Sequence, residues 1–447
     1  MQEFISIKKK IDSFKKKSIF MPGDKSISIR FILLSSLAEG RCTAYNLLNS
    51  EDVISAIKII KKLGIKIINK KSRCEVYGKG LYGFKYKKNL ILNAGNSGTT
   101  ARLICSILID ANYPIKIIGD KSLSNRDMAR IIKPLKLFGA KFKDNNNKLP
   151  IFIKGTKFTK PINYNENLGS AQCKSAVMIA GLKTLGVTKI KSLPSRNHTE
   201  LMFKNVLCVP IKIKKKKKYD LIEVKGKNKI KPFNYNIPGD MSSASFFIVL
   251  TLLSRNSQLR LKNININPTR VGIIKILNMM GANIKFLNKK KYNGELIGDI
   301  FVKSKKKLKA INLNSSLNSS AIDEFLLIFL VASRCEGSSS FVKLAELNKK
   351  ESKRLDWGIK ILKMMNVRVV KTKNNGIKIS GKKNFQINKK VIIKNYLKDH
   401  RIFMVSTIAA LSLGGNWKIY NPDSFKTSFP NFLKILVSLG AKIKWEK

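Results

Sequence analysis

The 447-residue chain carries 88 Lys and Arg against 27 Asp and Glu, a formal net charge of +61, and 44% of its residues are hydrophobic. That length and apolar content suit two or three globular domains. Six scattered cysteines without a C-x-x-C pair argue against zinc and against a disulfide framework, and two histidines leave no metal-ligand cluster to propose.

A reducing cytoplasm fits such cysteine usage. Residues 1–20 alternate Lys runs with Ile and Phe and lack an apolar h-region, so no secretory signal is expected. No stretch approaches the roughly 20 uninterrupted apolar residues of a membrane span. The excess charge would ordinarily suggest nucleic acid. Here Lys is spread along the whole chain among Ile and Asn, with no arginine-rich or aromatic-interleaved patch, so a compositional bias explains it better. The charge remains able to draw small anions to a cleft.

In chain order, Pro22-Gly23-Asp24-Lys25-Ser26 opens an apolar run from Phe31 to Leu37, and Pro238-Gly239-Asp240-Met241-Ser242 opens another from Phe246 to Leu253. Both read as turn, N-cap and buried helix, with free N–H groups and a positive dipole end suited to anions. Lys25 and Arg30 add cations to the first copy only. A second phrase, helix end, glycine or its substitute, then strand, recurs with its slot at 64, 139, 208, 281, 366 and 440. Glycine there lets a helix turn left-handed, and Asn366 is the next best residue. Six α/β units follow. The two Pro-Gly-Asp frames lie 216 residues apart (238 − 22), close to three units. The chain therefore divides into residues 22–237 and 238–447, with the N-terminal strand within 1–21 free to pair with either half. Two crossings near Pro22 and Pro238 predict a hinge and a cleft between the halves, where ligand sites are favoured.

Several loop-to-helix junctions carry chemistry. Asn93 to Arg102 is a Gly/Ser/Thr loop ahead of an expected helix at Leu103–Leu108, and it is neither a P-loop nor a dinucleotide fingerprint. Gly119 to Arg126, Gly169 to Ser175 and Ser195 to Glu200 place hydroxyls, Gln and Arg where phosphate or polyol recognition needs them. Asp323-Glu324 precede the apolar run Leu326–Val331, Lys350, Glu351 and Arg354 gather within about one helical turn, and Asp399-His400-Arg401 close the set. Carboxylates beside Lys and Arg are how a site tunes proton transfer while holding anions. Each junction alone also reads as an ordinary cap or an exposed ion pair.

Together and in order, these stretches resemble the 5-enolpyruvylshikimate-3-phosphate synthase family over nearly the whole chain. The resemblance is closest to members with Ser-Ala-Gln and Ser-Arg-Asn/Asp-His-Thr-Glu motifs. It implies two inside-out α/β domains of three repeats each, with the first strand joined to the C-terminal half. The implied reaction transfers the enolpyruvyl group of phosphoenolpyruvate to the 5-hydroxyl of shikimate 3-phosphate, with no metal or organic cofactor. The implied partners are these small molecules alone, with no nucleic acid or membrane, and the chain is expected to be a cytoplasmic monomer.

Carried over by residue, the resemblance assigns Lys25, Asp323 and Glu351 to catalysis, Asp323 as base for the 5-hydroxyl and Glu351 or Lys25 as proton donor to the methylene carbon. Shikimate 3-phosphate would meet Lys25, Ser26, Arg30, Ser170, Ala171, Gln172, Ser195, Arg196, Asp323 and Lys350. Phosphoenolpyruvate would meet Lys25, Gly98, Arg126, Gln172, Arg354, His400 and Arg401. Departures occur at Asp127, where Pro is usual, at Asn348, Lys349 and Lys353, and at Thr427, where some members carry a phosphoenolpyruvate-binding Lys; Lys426 lies one place earlier. Glyphosate is a family inhibitor of the phosphoenolpyruvate site, and some tolerant members carry Ala at the position of Gly98. The alternatives are a UDP-N-acetylglucosamine enolpyruvyl transferase, which typically has Lys-Asn at Lys25-Ser26 and a cysteine in the loop matching Asp120–Arg130, and a non-catalytic basic nucleic-acid binder.

Overall fold

The recurring helix end closes as its sequence requires. Gly64, Gly139, Cys208, Gly281, Asn366 and Gly440 all take φ between +51° and +103°, and each leads into a strand. In the computed structural model, which describes residues 3–15, 17–70, 73–305 and 307–446, these slots mark six repeats. Positions 1, 2 and 16 of the N-terminal segment lie outside the described residues.

Among the described residues the repeats build six four-stranded sheets. In each, an outer strand runs parallel to the second, as Ile91–Asn93 does to Ile115–Ile118, and the third is antiparallel to the second. Helices form the parallel crossover in four of the six, as parallel pairing demands. At the two Pro-Gly-Asp frames the pattern exchanges strands. Lys17–Phe20, just before the first frame, pairs with Gln258–Asn265, and Asn234–Asn236, just before the second, pairs with Glu39–Tyr45. Phe4–Ile7 lies between Asn416–Tyr420 and Lys444–Glu446 in the last sheet.

Two compact units result. One holds the chain up to Pro22, Pro238–Lys290 and everything from Leu296 onward; the other holds Gly23–Ile237 and the hairpin tip Lys291–Glu295. Each has its own hydrophobic core. At the first passage, a Cβ on Gly23 would stand 2.0 Å from the Asn46 carbonyl oxygen, so only glycine fits.

Burial explains the layering. Helices Met241–Leu253, Phe325–Ala332 and His400–Leu413 are buried along their whole length, and Lys25–Ser35, Gly98–Ile107 and Ala171–Leu182 along most of theirs. A helix apolar all round belongs inside. The helices Glu51–Lys62, Ala129–Leu137, Gly272–Met279 and Arg354–Met364 instead bury one face. Strands such as Lys148–Lys154 alternate buried and exposed residues, with one face on the helices and the other outward. Three buried helices per unit, sheathed by three sheets, give the inside-out arrangement. Among the described residues no helix is long and apolar enough to cross a membrane.

Candidate active site

The chemistry-bearing residues collect at the N-terminal ends of the buried helices. Five of those helices have polar caps: Asp24, Ser97, Ser170, Asp240 and Asp399 each accept a hydrogen bond from a backbone N–H of the first turn. The remaining first-turn N–H groups and the dipole make each unit's helix ends an anion-friendly floor.

In the Gly23–Ile237 unit, Lys25 Nζ lies 2.7 Å from Asp52 Oδ2. Arg30, five residues on, is 97% buried: it donates through Nε to Thr199 Oγ1 (2.8 Å), through Nη2 to Ser175 Oγ (3.1 Å) and through Nη1 to the Ser26 carbonyl (3.0 Å). Burial pushes its guanidinium down to about 10, against the opposing pull of Glu200 and Asp24. The second helix begins at Gly98, so Gly98 to Arg102 form its first turns and not the loop expected; Ser97 supplies the cap that permits the earlier start.

Arg126 Nη2 donates to Asn96 Oδ1 (3.2 Å), and Arg102 Nη1 to Gln172 Oε1 (2.7 Å), while Gln172 Nε2 donates to Thr99 Oγ1 (2.8 Å). Gly98, Arg126, Arg102 and Gln172 are thereby brought together. Ser170 caps the helix that Ala171 opens, and its own N–H donates to Glu166 Oε1 (3.0 Å). Ser195 is buried with no hydrogen-bond partner for its Oγ, beside the half-buried Arg196.

In the other unit, Arg354 is the hub. It is 99% buried and donates through Nε to Asp399 Oδ2 (2.9 Å), through Nη1 to Asp323 Oδ1 (3.4 Å) and through Nη2 to Glu351 Oε2. Lys350 Nζ stands 3.2 Å from Asp323 Oδ1, and Arg401 Nη1 donates to the Asp323 carbonyl (2.8 Å). His400 is the first residue of its helix and buried. Burial pushes the Asp399 carboxyl up, but the Arg354 guanidinium outweighs this and holds it below the ordinary carboxylate range. The converse raises Arg354 despite its burial.

Lys350, Glu351 and Arg354 do not share a helical turn. A 3₁₀ turn ends at Lys349 and the α-helix starts at Arg354; the residues between form a bend, and Asn348 Oδ1 accepts from Leu355 N (2.9 Å) to begin the helix late. The bend still brings Glu351 to Arg354. Lys426 pairs with the exposed Asp423 at 2.7 Å and is itself about half exposed.

Sequence reasoning passed over Asp52, and it named Arg102 and Asp399 within chemistry-bearing stretches without giving either a role. Asp399 carried the signal of an Asp at a helix start. Asp52 is joined to Lys25 only by the fold. Among the described residues no three His, Cys, Asp or Glu side chains are grouped as metal ligands would be.

The chain has relatives of known kind. The family model for EPSP synthase (3-phosphoshikimate 1-carboxyvinyltransferase) matches residues 11–436. A 3-phosphoshikimate 1-carboxyvinyltransferase of Ruthia magnifica subsp. Calyptogena magnifica is 40% identical over 427 residues, 95% of each chain. One from Thermoanaerobacter sp. (strain X514) is 39% identical over 433 residues, 96% of this chain and 98% of that one. The solved structure of EPSP synthase from Acinetobacter baumannii is 32% identical, with a TM-score of 0.86 over 100% of both chains. The enolpyruvyl transferase NikO from Streptomyces tendae shares the fold, with a TM-score of 0.77 at 13% identity. On its match over nearly its whole length, the chain belongs to the EPSP synthase (3-phosphoshikimate 1-carboxyvinyltransferase) family.

Proposed function

We propose that the chain transfers the enolpyruvyl group of phosphoenolpyruvate to the 5-hydroxyl of shikimate 3-phosphate and releases inorganic phosphate. Family membership supports the reaction, and the cluster around Arg354 is the observation that supports it on this chain's own residues. In the addition step the 5-hydroxyl oxygen bonds to C2 of phosphoenolpyruvate, its proton leaves to a base, and a second proton reaches the methylene carbon. In the elimination step the methyl carbon loses a proton and the C2–O bond to phosphate breaks. One carboxylate must accept while another group donates, and the roles then reverse.

Asp323 and Glu351 suit these roles. Both are ion-paired to Arg354 yet keep 14% and 16% of their side chains exposed, whereas Asp399 is fully buried and serves as the fixed counter-ion. Arg354, Arg401 and His400 would hold phosphoenolpyruvate with Arg126 and the Gly98 backbone. Ser26, Arg30, Ser170, Ala171, Gln172, Ser195, Arg196 and Lys350 would hold shikimate 3-phosphate, and Lys25 would touch both. Arg30 would do so mainly by shaping the Ser26 end of its helix, given its burial.

The absence of cysteine from Asp120–Arg130 favours this acceptor over UDP-N-acetylglucosamine. We propose a monomer working in the cytoplasm. Six free cysteines, five of them buried, support a reducing compartment, and sedimentation tests the monomer. Phosphorus NMR of chain, shikimate 3-phosphate and phosphoenolpyruvate tests the reaction: the phosphoenolpyruvate signal should give way to free phosphate and a new shikimate ester, and persistence of both substrate signals would refute it.

A further inference from the structure

Two residues of the Ser-Ala-Gln and His-Thr-Glu stretches, Lys174 and Glu200, form an ion pair that has no part in the mechanism above. Lys174 Nζ lies 2.6 Å from Glu200 Oε1, with side chains 0% and 4% exposed. A buried pair of this kind carries a large desolvation cost, and apolar residues of similar volume would often do as well for stability alone. Its neighbours suggest another use. Glu200 follows Thr199 and Lys174 precedes Ser175, and these two hydroxyls, 2.7 Å apart, receive Arg30 Nε and Nη2.

The second Glu200 oxygen, Oε2, is buried and accepts no hydrogen bond. Burial disfavours the charge on the Arg30 guanidinium, and Glu200, Asp24 and Glu295 work against that burial while Arg196 adds to it. Lys174 Nζ, buried and without a hydrogen-bond partner among the described residues, neutralises the Glu200 carboxylate by proximity, and Thr199 and Ser175 fix where the guanidinium sits. Arg30 in turn donates to the Ser26 carbonyl at the mouth of its helix.

We propose that Glu200, paired with Lys174, is a positioning residue for shikimate 3-phosphate: the pair anchors Thr199 and Ser175, the two hydroxyls that orient Arg30, and through Arg30 sets the Ser26 end of the first buried helix. This rests on the proposed reading of that end as the shikimate 3-phosphate site.

The test is calorimetric titration of the full chain with shikimate 3-phosphate, with steady-state kinetics and thermal melting, for wild type, Glu200→Gln and the double variant Lys174→Met/Glu200→Gln. Glu200→Gln should lower both melting temperature and affinity, the affinity by on the order of tenfold, as for loss of a buried charge partner. The rise should appear in KM for shikimate 3-phosphate, with KM for phosphoenolpyruvate and kcat at saturation within about twofold of wild type. The double variant, which leaves no unpaired charge at position 174, should recover melting temperature and not affinity. It also keeps the test open where Glu200→Gln alone does not fold. Recovery of affinity together with melting temperature, or wild-type affinity in Glu200→Gln, would overturn the proposal by making Glu200 merely the partner of Lys174. Absence of binding by the wild type would instead refute the underlying assignment of the site.

Discussion

A methyl group on Gly98 would stand 2.9 Å from Nη1 of Arg126 and 3.2 Å from Nη1 of Arg102. No real Cβ tolerates the first of these distances, so the Arg126 guanidinium, held by Asn96, must move. The resemblance puts the Gly98 backbone against phosphoenolpyruvate, and glyphosate, being longer, has less room to yield. Wild type should therefore be sensitive to glyphosate in competition with phosphoenolpyruvate. Gly98→Ala should raise the inhibition constant by at least about tenfold, the effect of ~1.4 kcal/mol, with a smaller rise in KM for phosphoenolpyruvate. Inhibition constants for both chains check this; an insensitive wild type would contradict it.

Asp323→Asn and Glu351→Gln keep shape and lose proton transfer. Each should lower kcat by roughly 10²- to 10⁴-fold while the affinity for shikimate 3-phosphate stays near wild type. In D₂O the wild type should place deuterium in the vinyl methylene of recovered phosphoenolpyruvate and product, because addition makes a methyl whose hydrogens are lost in turn. Turnover and mass spectra would show it, and near-normal kcat in both variants would refute the assignment.

Arg126→Ala should chiefly raise KM for phosphoenolpyruvate, since its guanidinium lies at the Gly98 helix end, where the resemblance puts that substrate. The split between the two KM values is the measurement.

The Asp399–Arg354 pair sets an acid limit to stability. The carboxyl is held below its unfolded value, so its contribution is complete above the ordinary Asp value near 4 and is lost as pH falls through the lower folded value. Wild type should lose melting temperature steeply below about pH 4. Asp399→Asn should be less stable at pH 7 and show a shallower acid slope. Melting curves across pH 2 to 7 on the order of half-unit steps would test it; parallel curves would refute the linkage.

Much of this was legible in the residues. The helix-end phrase counted six repeats because a left-handed turn is a local demand, and even Cys208 meets it at φ +51°. Three of the buried helices showed as apolar runs, at Phe31–Leu37, Phe246–Leu253 and Leu326–Val331. What stayed hidden was non-local. Nothing in Lys17–Phe20 or Asn234–Asn236 announces that each strand pairs with the partner of the other. Spacing put Lys350, Glu351 and Arg354 on one helix, but Asn348 delays that helix to Arg354 and the cluster forms by a bend. Asp52 reaches Lys25 and Glu295 reaches His198 only through tertiary packing.

The central claim is most directly tested by phosphate release from phosphoenolpyruvate with each candidate acceptor. The account predicts stoichiometric phosphate with shikimate 3-phosphate, and none with UDP-N-acetylglucosamine or with phosphoenolpyruvate alone. Phosphate release with UDP-N-acetylglucosamine, or none with shikimate 3-phosphate, would contradict it.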